Sequence, residues 1–525
     1  MKLETVATAR VARALLLIAC TLVLALGARA SNVFPDEGFY LLAAENVRRG
    51  LVPFRDFPFF HMPGAAAFIA FFLPLTGPSV LLMRAVFALV TLGAVTFAGR
   101  ALGRARGERA ELVFLTLFAT NPFVLTALPM IASYTAPAAL GLALVAAGWA
   151  LAQSDARRGA FVAGLGFGVA TAVRIAYAPV ALAGALFLML RRPRPELGRY
   201  LVGGLVGFAV TSGLTLRSFL TLKAAYGNIV TAQLERVHAT PYLFRYRPFE
   251  NRFVVLREVL AHYGAAFALV AIAVLWGKRM PSGFTRVLAA CFAACLVIHF
   301  VPSPTYLVYT AALALPLFAA VAAWTAESPV SLRVASAVAA LGLVTQTFVL
   351  VRAHSTPFAF LTDAARALAH PDTGRVRATR AVLRTTPAGS EIWTFDTTVA
   401  VEAERRVPPG FEMSYFGFYS GPLAPLARSR GVLDLARALE PLESGRVAAV
   451  VASRNRSWWA LENAPAERQA LWRSICMHYA PVERFADDKY SDLWLLLPRG
   501  TSEPSADCES LFASPKPPVV SAKSP

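Results

Sequence analysis

The chain has 525 residues, of which 56% are hydrophobic and only 16% charged, with a mean hydropathy of +0.53. Those figures exclude an ordinary soluble globule and point to a polytopic membrane protein. The net charge of +19, from 51 basic and 32 acidic residues, would suggest nucleic acid in a soluble protein. Here the basic residues cluster at the ends of apolar runs, so membrane lipid is the expected partner and nucleic acid is not. The heavy use of Ala, Arg, Leu and Pro is that of a GC-rich bacterial genome.

Residues 1–30 allow three readings. Lys2, Arg10 and Arg13 precede an apolar run, and Ala28-Arg29-Ala30 has the form of a signal-peptidase site. Leu17 to Cys20 has the form of a lipoprotein site. The apolar run continues past Cys20 to Leu26, which favours a retained first transmembrane helix near 11–30. Residues 38–49 read as an interfacial helix, with Phe39, Tyr40, Ala43 and Val47 on one face and Glu45, Arg48 and Arg49 on the other. The apolar stretch 64–75, bracketed by Pro63 and Pro74, is too short to span and reads as re-entrant or interfacial. Further spans are expected at 78–99, 111–128, 134–152, 159–174, 176–190, 199–219, 258–277, 285–301, 304–324 and 330–351. The short pair 159–174 and 176–190 also reads as one bent unit.

The loop charges orient this arrangement of about eleven spans. Arg100, Arg104, Arg106 and Arg109 form one basic loop; Arg157, Arg158, Arg191, Arg192, Arg194, Arg199, Lys278, Arg279 and Arg286 fill the others. All fall on the side of the N-terminus, which is therefore expected to be cytoplasmic. Loops 31–77, 129–133, 220–257 and 302–303 fall outside. The 220–257 loop departs from the charge rule, with Arg236, Arg245, Arg247, Arg252 and Arg257, and that excess suggests an anionic ligand.

After His354 the apolar runs become strand-sized: Glu391–Phe395, Val447–Ala452 and Leu493–Leu497. Helical patterns surround them at Thr362–Ala369 and Ala466–His478. The expected division is a membrane domain over 1–351, a periplasmic α/β domain over 352–500 and a disordered Ser/Pro-rich tail over 501–525. Cys20, Cys291 and Cys295 lie in apolar spans and read as small buried residues. Cys476 and Cys508 can pair in an oxidising compartment. No internal repeat and no nucleotide-binding glycine motif is present.

The chemistry concentrates in residues 34–64, FPDEGFYLLAAENVRRGLVPFRDFPFFHMPG. Carboxylates at a membrane surface are costly unless paired or used. The pattern Asp36-Glu37 after the first span, a short helix from Gly38 to Arg49, Gly50, Arg55-Asp56 and Pro63 resembles the first external loop of the GT-C membrane glycosyltransferases. That group includes protein O-mannosyltransferases and lipid A aminoarabinose transferases, glycosyltransferase family 39 among them. The resemblance covers residues 10–350 in layout and leaves the C-terminal part unmatched. It implies a mainly α GT-C-like bundle in a bacterial inner membrane, and inverting transfer of a sugar from a polyprenyl-phosphate donor to an envelope lipid, polysaccharide or protein. A polytopic transporter or lipid-linked sugar flippase is the alternative, although such proteins tend to show repeats and mid-membrane charges. A non-catalytic scaffold would need no acidic first loop.

A departing lipid phosphate needs cationic stabilisation, and an acceptor needs a carboxylate to orient or deprotonate it. By the resemblance, Asp36 activates the acceptor and Glu37 shares that role or binds a divalent cation. As plain structure, Asp36 caps the helix and Glu37 favours its positive end. Arg55 with its orienting Asp56 is a candidate phosphate clamp, or else a surface ion pair; His61 supports it or merely lies at the interface. Arg245 and Arg247, in PYLFRYRPF (241–249), alternate with aromatics and either grip phosphate or anchor an interfacial loop. Arg84 and Arg174, near outer span ends, and His299 and Tyr306, beside the turn VPSPTY, are further candidates of lower rank. Trp393, Asp396, Glu412, Tyr415 and Tyr419 surround PPGFEMSYFGFYSG (408–421), which reads as a binding loop or a packing loop. The cation question is left open by two carboxylates alone.

Overall fold

The computed structural model describes residues 2–30, 35–191, 194–220, 222–232, 248–276, 281–300, 307–328, 330–353, 373–453, 461, 464–486, 492–500 and 508. They fall into two compact units. The first is drawn from residues 1–53, 59–229 and 240–371, the second from 54–58, 230–239 and 372–525.

The first unit is helical. α1 (Lys2–Ala30) leads to α2 (Pro35–Arg48), which ends before Gly50, a residue at φ 86° that turns the chain away. α3 (Gly64–Thr76) follows Pro63. α4 (Val80–Arg106) begins where the Ser79 hydroxyl accepts from the Leu82 amide and ends with Arg104 and Arg106 against its negative end. α5 (Glu108–Ala119) and α6 (Pro122–Ala127) are separated at Asn121, whose side chain caps α6 and whose amide donates to the His262 carbonyl at 2.9 Å. α7 (Ala136–Leu151), α8 (Ala156–Val173), α9 (Ala178–Arg191) and α10 (Arg194–Thr211) follow, then α11 (Leu222–Tyr226), α12 (Pro248–Trp276), α13 (Gly283–Phe300), α14 (Ala314–Glu327) and α15 (Leu332–Ala353).

Helices occupy the stretches read as spans, with 111–128 divided at Asn121-Pro122 and 199–219 bent by 99° between Glu196–Thr211 and Gly213–Phe219. Among the described residues, four helical stretches are long and apolar enough to cross a membrane: Thr8–Arg29, Val80–Arg106, Val255–Leu275 and Val308–Glu327; the bent pair makes a fifth if taken as one span. Shorter apolar helices fill out the bundle. Large apolar side chains stand exposed on its surface, Leu75, Leu89 and Leu275 among them, as a lipid-facing surface requires. Inside, small residues set the spacing. A side chain at Gly164 or Gly168 would strike the Tyr200 and Gly204 carbonyls of α10, so α8 and α10 touch backbone to backbone. At the basic ends of α1, α4 and α5, Arg13 pairs with Glu111 at 2.7 Å and with Glu108 at 3.4 Å.

The second unit holds a four-stranded sheet in the order β1-β2-β4-β3, from β1 (Ile392–Thr394), β2 (Ala449–Ser453), β3 (Tyr479–Ala486) and β4 (Asp492–Pro498). β1 runs parallel to β2 with Trp393 opposite Val450; the other pairings are antiparallel. α16 (Gly374–Thr385), α17 (Thr397–Glu402), α18 (Ala424–Arg430), α19 (Leu435–Glu443) and α20 (Pro465–His478) surround it. The three strands expected from sequence are present. β3 was not expected. It is an edge strand that starts directly after α20, carries Pro481 and bulges between Pro481 and Glu483, so it lacks clean alternation. The helix expected at Thr362–Ala369 lies outside the described residues. Cys476 and Cys508 form a disulfide; Cys20, Cys291 and Cys295 are free and buried.

The 408–421 stretch is mostly core. Phe411 stacks on Phe395 at 5.7 Å and meets Trp393 edge-on at 5.3 Å, and the Trp393 indole donates to the Ala438 carbonyl at 3.0 Å. Asp396 is buried and paired with Arg375 at 3.2 Å, and Tyr419 is fully buried. Ser414 sits at φ 55° with its hydroxyl donating to the Phe395 carbonyl. Burial pushes the Glu412 carboxyl up to about 7, against hydrogen bonds from the Glu412 and Gly410 amides and the pull of Arg437.

Candidate functional site

The first turn of α2 carries Asp36 and Glu37 at the positive end of the helix. Glu37 is fully buried and both its oxygens are taken. Arg84 of α4 reaches it through Nε at 2.8 Å and Nη2 at 2.6 Å, and the Ile131 amide donates to the same carboxylate at 2.9 Å. Arg84 also donates to the Ala28 carbonyl at the end of α1, at 3.2 Å. One ion pair thus ties α1, α2, α4 and the 128–135 loop together. Removing one partner of such a pair strands the other and costs about 3–5 kcal/mol.

Asp36, one residue earlier, is also buried, at 7% exposure. It lies within electrostatic reach of Tyr40 and Tyr134. Burial above all pushes the Tyr40 phenol pKa up; nearby Arg174 opposes this and Asp36 adds to it. Tyr40 shares a hydrogen bond of 2.8 Å with the Ser133 hydroxyl.

Arg174 stands at the break between α8 and α9, where its own backbone is extended and a short 3-10 turn, Ile175–Tyr177, follows. Broken helices expose backbone and side chains only where protein or a cavity receives them. The guanidinium lies over the Tyr309 ring at 4.2 Å and the Tyr134 ring at 5.2 Å, and donates to Ser133 Oγ at 3.4 Å. Tyr134 and Tyr309 themselves meet at 4.7 Å. Among the described residues Arg174 has no carboxylate partner, and its Nε is buried without a hydrogen bond. A partly buried cation held by aromatic faces and one hydroxyl is stabilised by about 0.5–2 kcal/mol per ring contact, below the cost of stripping its water. It is suited to an anion that arrives with a ligand.

His61 stacks parallel to Phe39 at 5.6 Å and lies 5.2 Å from Tyr40, at the border of the same cluster. His299 is buried 5.4 Å from Tyr177 and 6.3 Å from Tyr309, with Nδ1 on the Cys295 carbonyl at 2.7 Å. The structure thus gathers Asp36, Tyr40, His61, Ser133, Tyr134, Arg174, His299 and Tyr309 in the first unit.

The other expected site residues are placed differently. Arg55 and Asp56 form a two-bond ion pair, each bond 2.8 Å, on an exposed turn that belongs to the second unit. Arg245, Arg247 and Tyr306 lie outside the described residues. No cluster of three or more His, Cys, Asp or Glu residues suited to a metal occurs among the described residues. Sequence reasoning ranked Arg174 low and did not select Ser133, Tyr134 or Tyr309. The available signal was a polar Ser133-Tyr134-Thr135 run across the boundary between the loop read as external, 129–133, and the span expected from 134.

No protein-family profile and no curated protein matches this sequence. Its fold does match solved structures. ArnT from Cupriavidus metallidurans bound to undecaprenyl phosphate superposes with a TM-score of 0.61 at 14% identity, over 93% of this chain and 98% of that one. The same protein in its apo state gives 0.57 at 15% identity, over 92% and 97%. At that identity the likeness speaks for architecture alone: this chain shares the fold of that ArnT.

Proposed function

We propose that this chain is a membrane glycosyltransferase that moves a sugar from a polyprenyl-phosphate donor to an acceptor in the cell envelope, with inversion at the sugar carbon. Arg174, rather than Arg55, is assigned to the donor phosphate in the first unit; Arg245 and Arg247 are kept as further contacts from the external loop. Asp36 is assigned to the acceptor. The acceptor oxygen or nitrogen attacks the anomeric carbon, the bond to the phosphate oxygen breaks, the proton goes to Asp36 and the electron pair leaves on the lipid phosphate, which Arg174 stabilises. Removing such a stabilising group costs about 10²–10³ in rate, and removing a general base about 10²–10⁴. Glu37 is assigned to holding α2 in place. His61 and Tyr40 border the acceptor side.

The observation that carries this reading is a half-buried arginine with an enclosed Nε and, among the described residues, no acid partner, flanked by tyrosines in the same cluster as a buried aspartate. The fold adds support, since ArnT of similar architecture was solved with undecaprenyl phosphate. The basic loops favour a cytoplasmic N-terminus, with the site and the C-terminal unit outside.

The test uses purified full-length protein, a labelled polyprenyl-phosphate sugar and an envelope extract. Wild type is expected to transfer label, and Asp36→Asn and Arg174→Gln to lose it while remaining folded. Transfer by Asp36→Asn at the wild-type rate would sink the assignment of the base, and no transfer by any form, with any labelled donor, would sink the enzyme reading.

A further inference from the structure

Two rings flank the Arg174 guanidinium: Tyr134 from the 128–135 loop and Tyr309 from a 3-10 turn, Leu307–Leu313. A cation–ring contact weakens as the ring moves off the cation, so the placement of these two rings fixes where the guanidinium points. Neither ring stands on regular α-helix. Runs of 3-10 turn beyond three or four residues are uncommon, because their hydrogen bonds are poorly aligned. This one has seven residues, with Tyr309 third among them. The loop that carries Tyr134 follows α6, a helix of only six residues.

Both elements are held from a single step of α12. The Tyr263 side chain is fully buried, and its phenol donates to the Thr310 carbonyl at 2.7 Å, on the residue directly after Tyr309. One residue earlier, the His262 carbonyl accepts from the Asn121 side-chain amide at 2.9 Å, while the oxygen of that same side chain caps α6. The Tyr263 ring lies 6.0 Å from the Phe318 ring of α14, which directs the phenol toward the turn.

We infer that Tyr263 is a positioning residue for the donor phosphate: by holding Thr310 it sets the Tyr309 ring against Arg174, and so the direction in which the guanidinium meets the anion. This rests on the assignment of Arg174 to the lipid phosphate. The phenol proton is spent on Thr310, so Tyr263 acts through Tyr309 and takes no part in bond making.

The test measures binding of a polyprenyl phosphate and of the uncharged polyprenol to the full chain. Wild type is expected to prefer the phosphate. Tyr263→Phe keeps the ring and removes the donor. It is expected to weaken the phosphate about threefold to tenfold, the range of one buried hydrogen bond, and to bind the alcohol as wild type does. A 4-aminophenylalanine at position 263 restores a donor and is expected to restore the preference. In a Tyr309→Leu background, where the ring is gone, adding Tyr263→Phe is expected to change phosphate affinity by less than about twofold. A bond that only anchored α12 would lower stability and leave the discrimination between phosphate and alcohol untouched. An unchanged phosphate preference in Tyr263→Phe, or the same loss in both backgrounds, overturns this inference alone. Equal binding of phosphate and alcohol by wild type sinks the assignment of Arg174, and the inference with it.

Discussion

Arg84 and Arg174 are the same residue type in the same helical unit, and their surroundings are opposite. Arg84 spends Nε and Nη2 on Glu37 and Nη1 on the Ala28 carbonyl. Arg174 faces tyrosine rings and one serine hydroxyl, with a buried Nε left over. A charge neutralised by its own protein is architecture. A charge enclosed without an acid is a position that an anionic ligand completes.

The largest expected effects fall on Asp36 and Arg174. Asp36→Asn should lower transfer by about 10²–10⁴ and Arg174→Gln by about 10²–10³, each with melting temperature held or raised. Rate and stability measured on one preparation check this; a parallel loss of both would erase the contrast. Glu37→Gln should do the reverse. It leaves Arg84 buried without its anion, costing about 3–5 kcal/mol of stability, and a Glu37→Met/Arg84→Met pair should recover much of that loss. A stable but inactive Glu37→Gln would move Glu37 from architecture into the chemistry.

Two smaller effects belong to the C-terminal unit, where similar pairs are structural. Replacing Cys476 by Ser opens a link between residues 32 apart and should cost about 3–4 kcal/mol by loss of chain constraint in the unfolded state. Reductant added to wild type should lower unfolding of that unit to match. Glu412 holds its proton up to about pH 7 when folded, against an ordinary value of 4.5. Between those limits the folded form binds more protons than the unfolded, so stability falls as pH rises from 5 to 7 and is flat above. The amplitude expected is about 1–3 kcal/mol, and Glu412→Gln should remove the slope.

The helices were legible because apolar length and punctuation are local. Pro63 and Gly50 punctuate the chain where the sequence analysis placed them, while α4 runs on to Arg106, past the expected end at 99, and stops at Gly107. Asn121-Pro122 was legible in principle as a cap within 111–128, but its apolar flanks concealed the break. The resemblance in residues 34–64 anticipated the fold and a helix there, although the helix begins at Pro35 and takes the acidic pair into its first turn. What sequence could not supply was the state of each charge. Arg84 and Glu37 are 47 residues apart, and Arg174 meets Ser133 across 41. An arginine at a span end looks alike in both cases until the partner is known. The exposed, mutually paired Arg55 and Asp56 looked more chemical than Arg174 because they were adjacent to the motif.

The most direct measurement is binding of a polyprenyl phosphate, with the uncharged polyprenol as control, to wild type, Arg174→Gln and Arg84→Gln variants that retain fold. The account predicts that Arg174→Gln loses at least about tenfold in affinity for the phosphate and nothing for the alcohol, a difference of about 1.4 kcal/mol that resides in the charge. Arg84→Gln should bind both as wild type does once it is folded. Equal affinity of wild type and Arg174→Gln for the lipid phosphate would contradict the account at its centre.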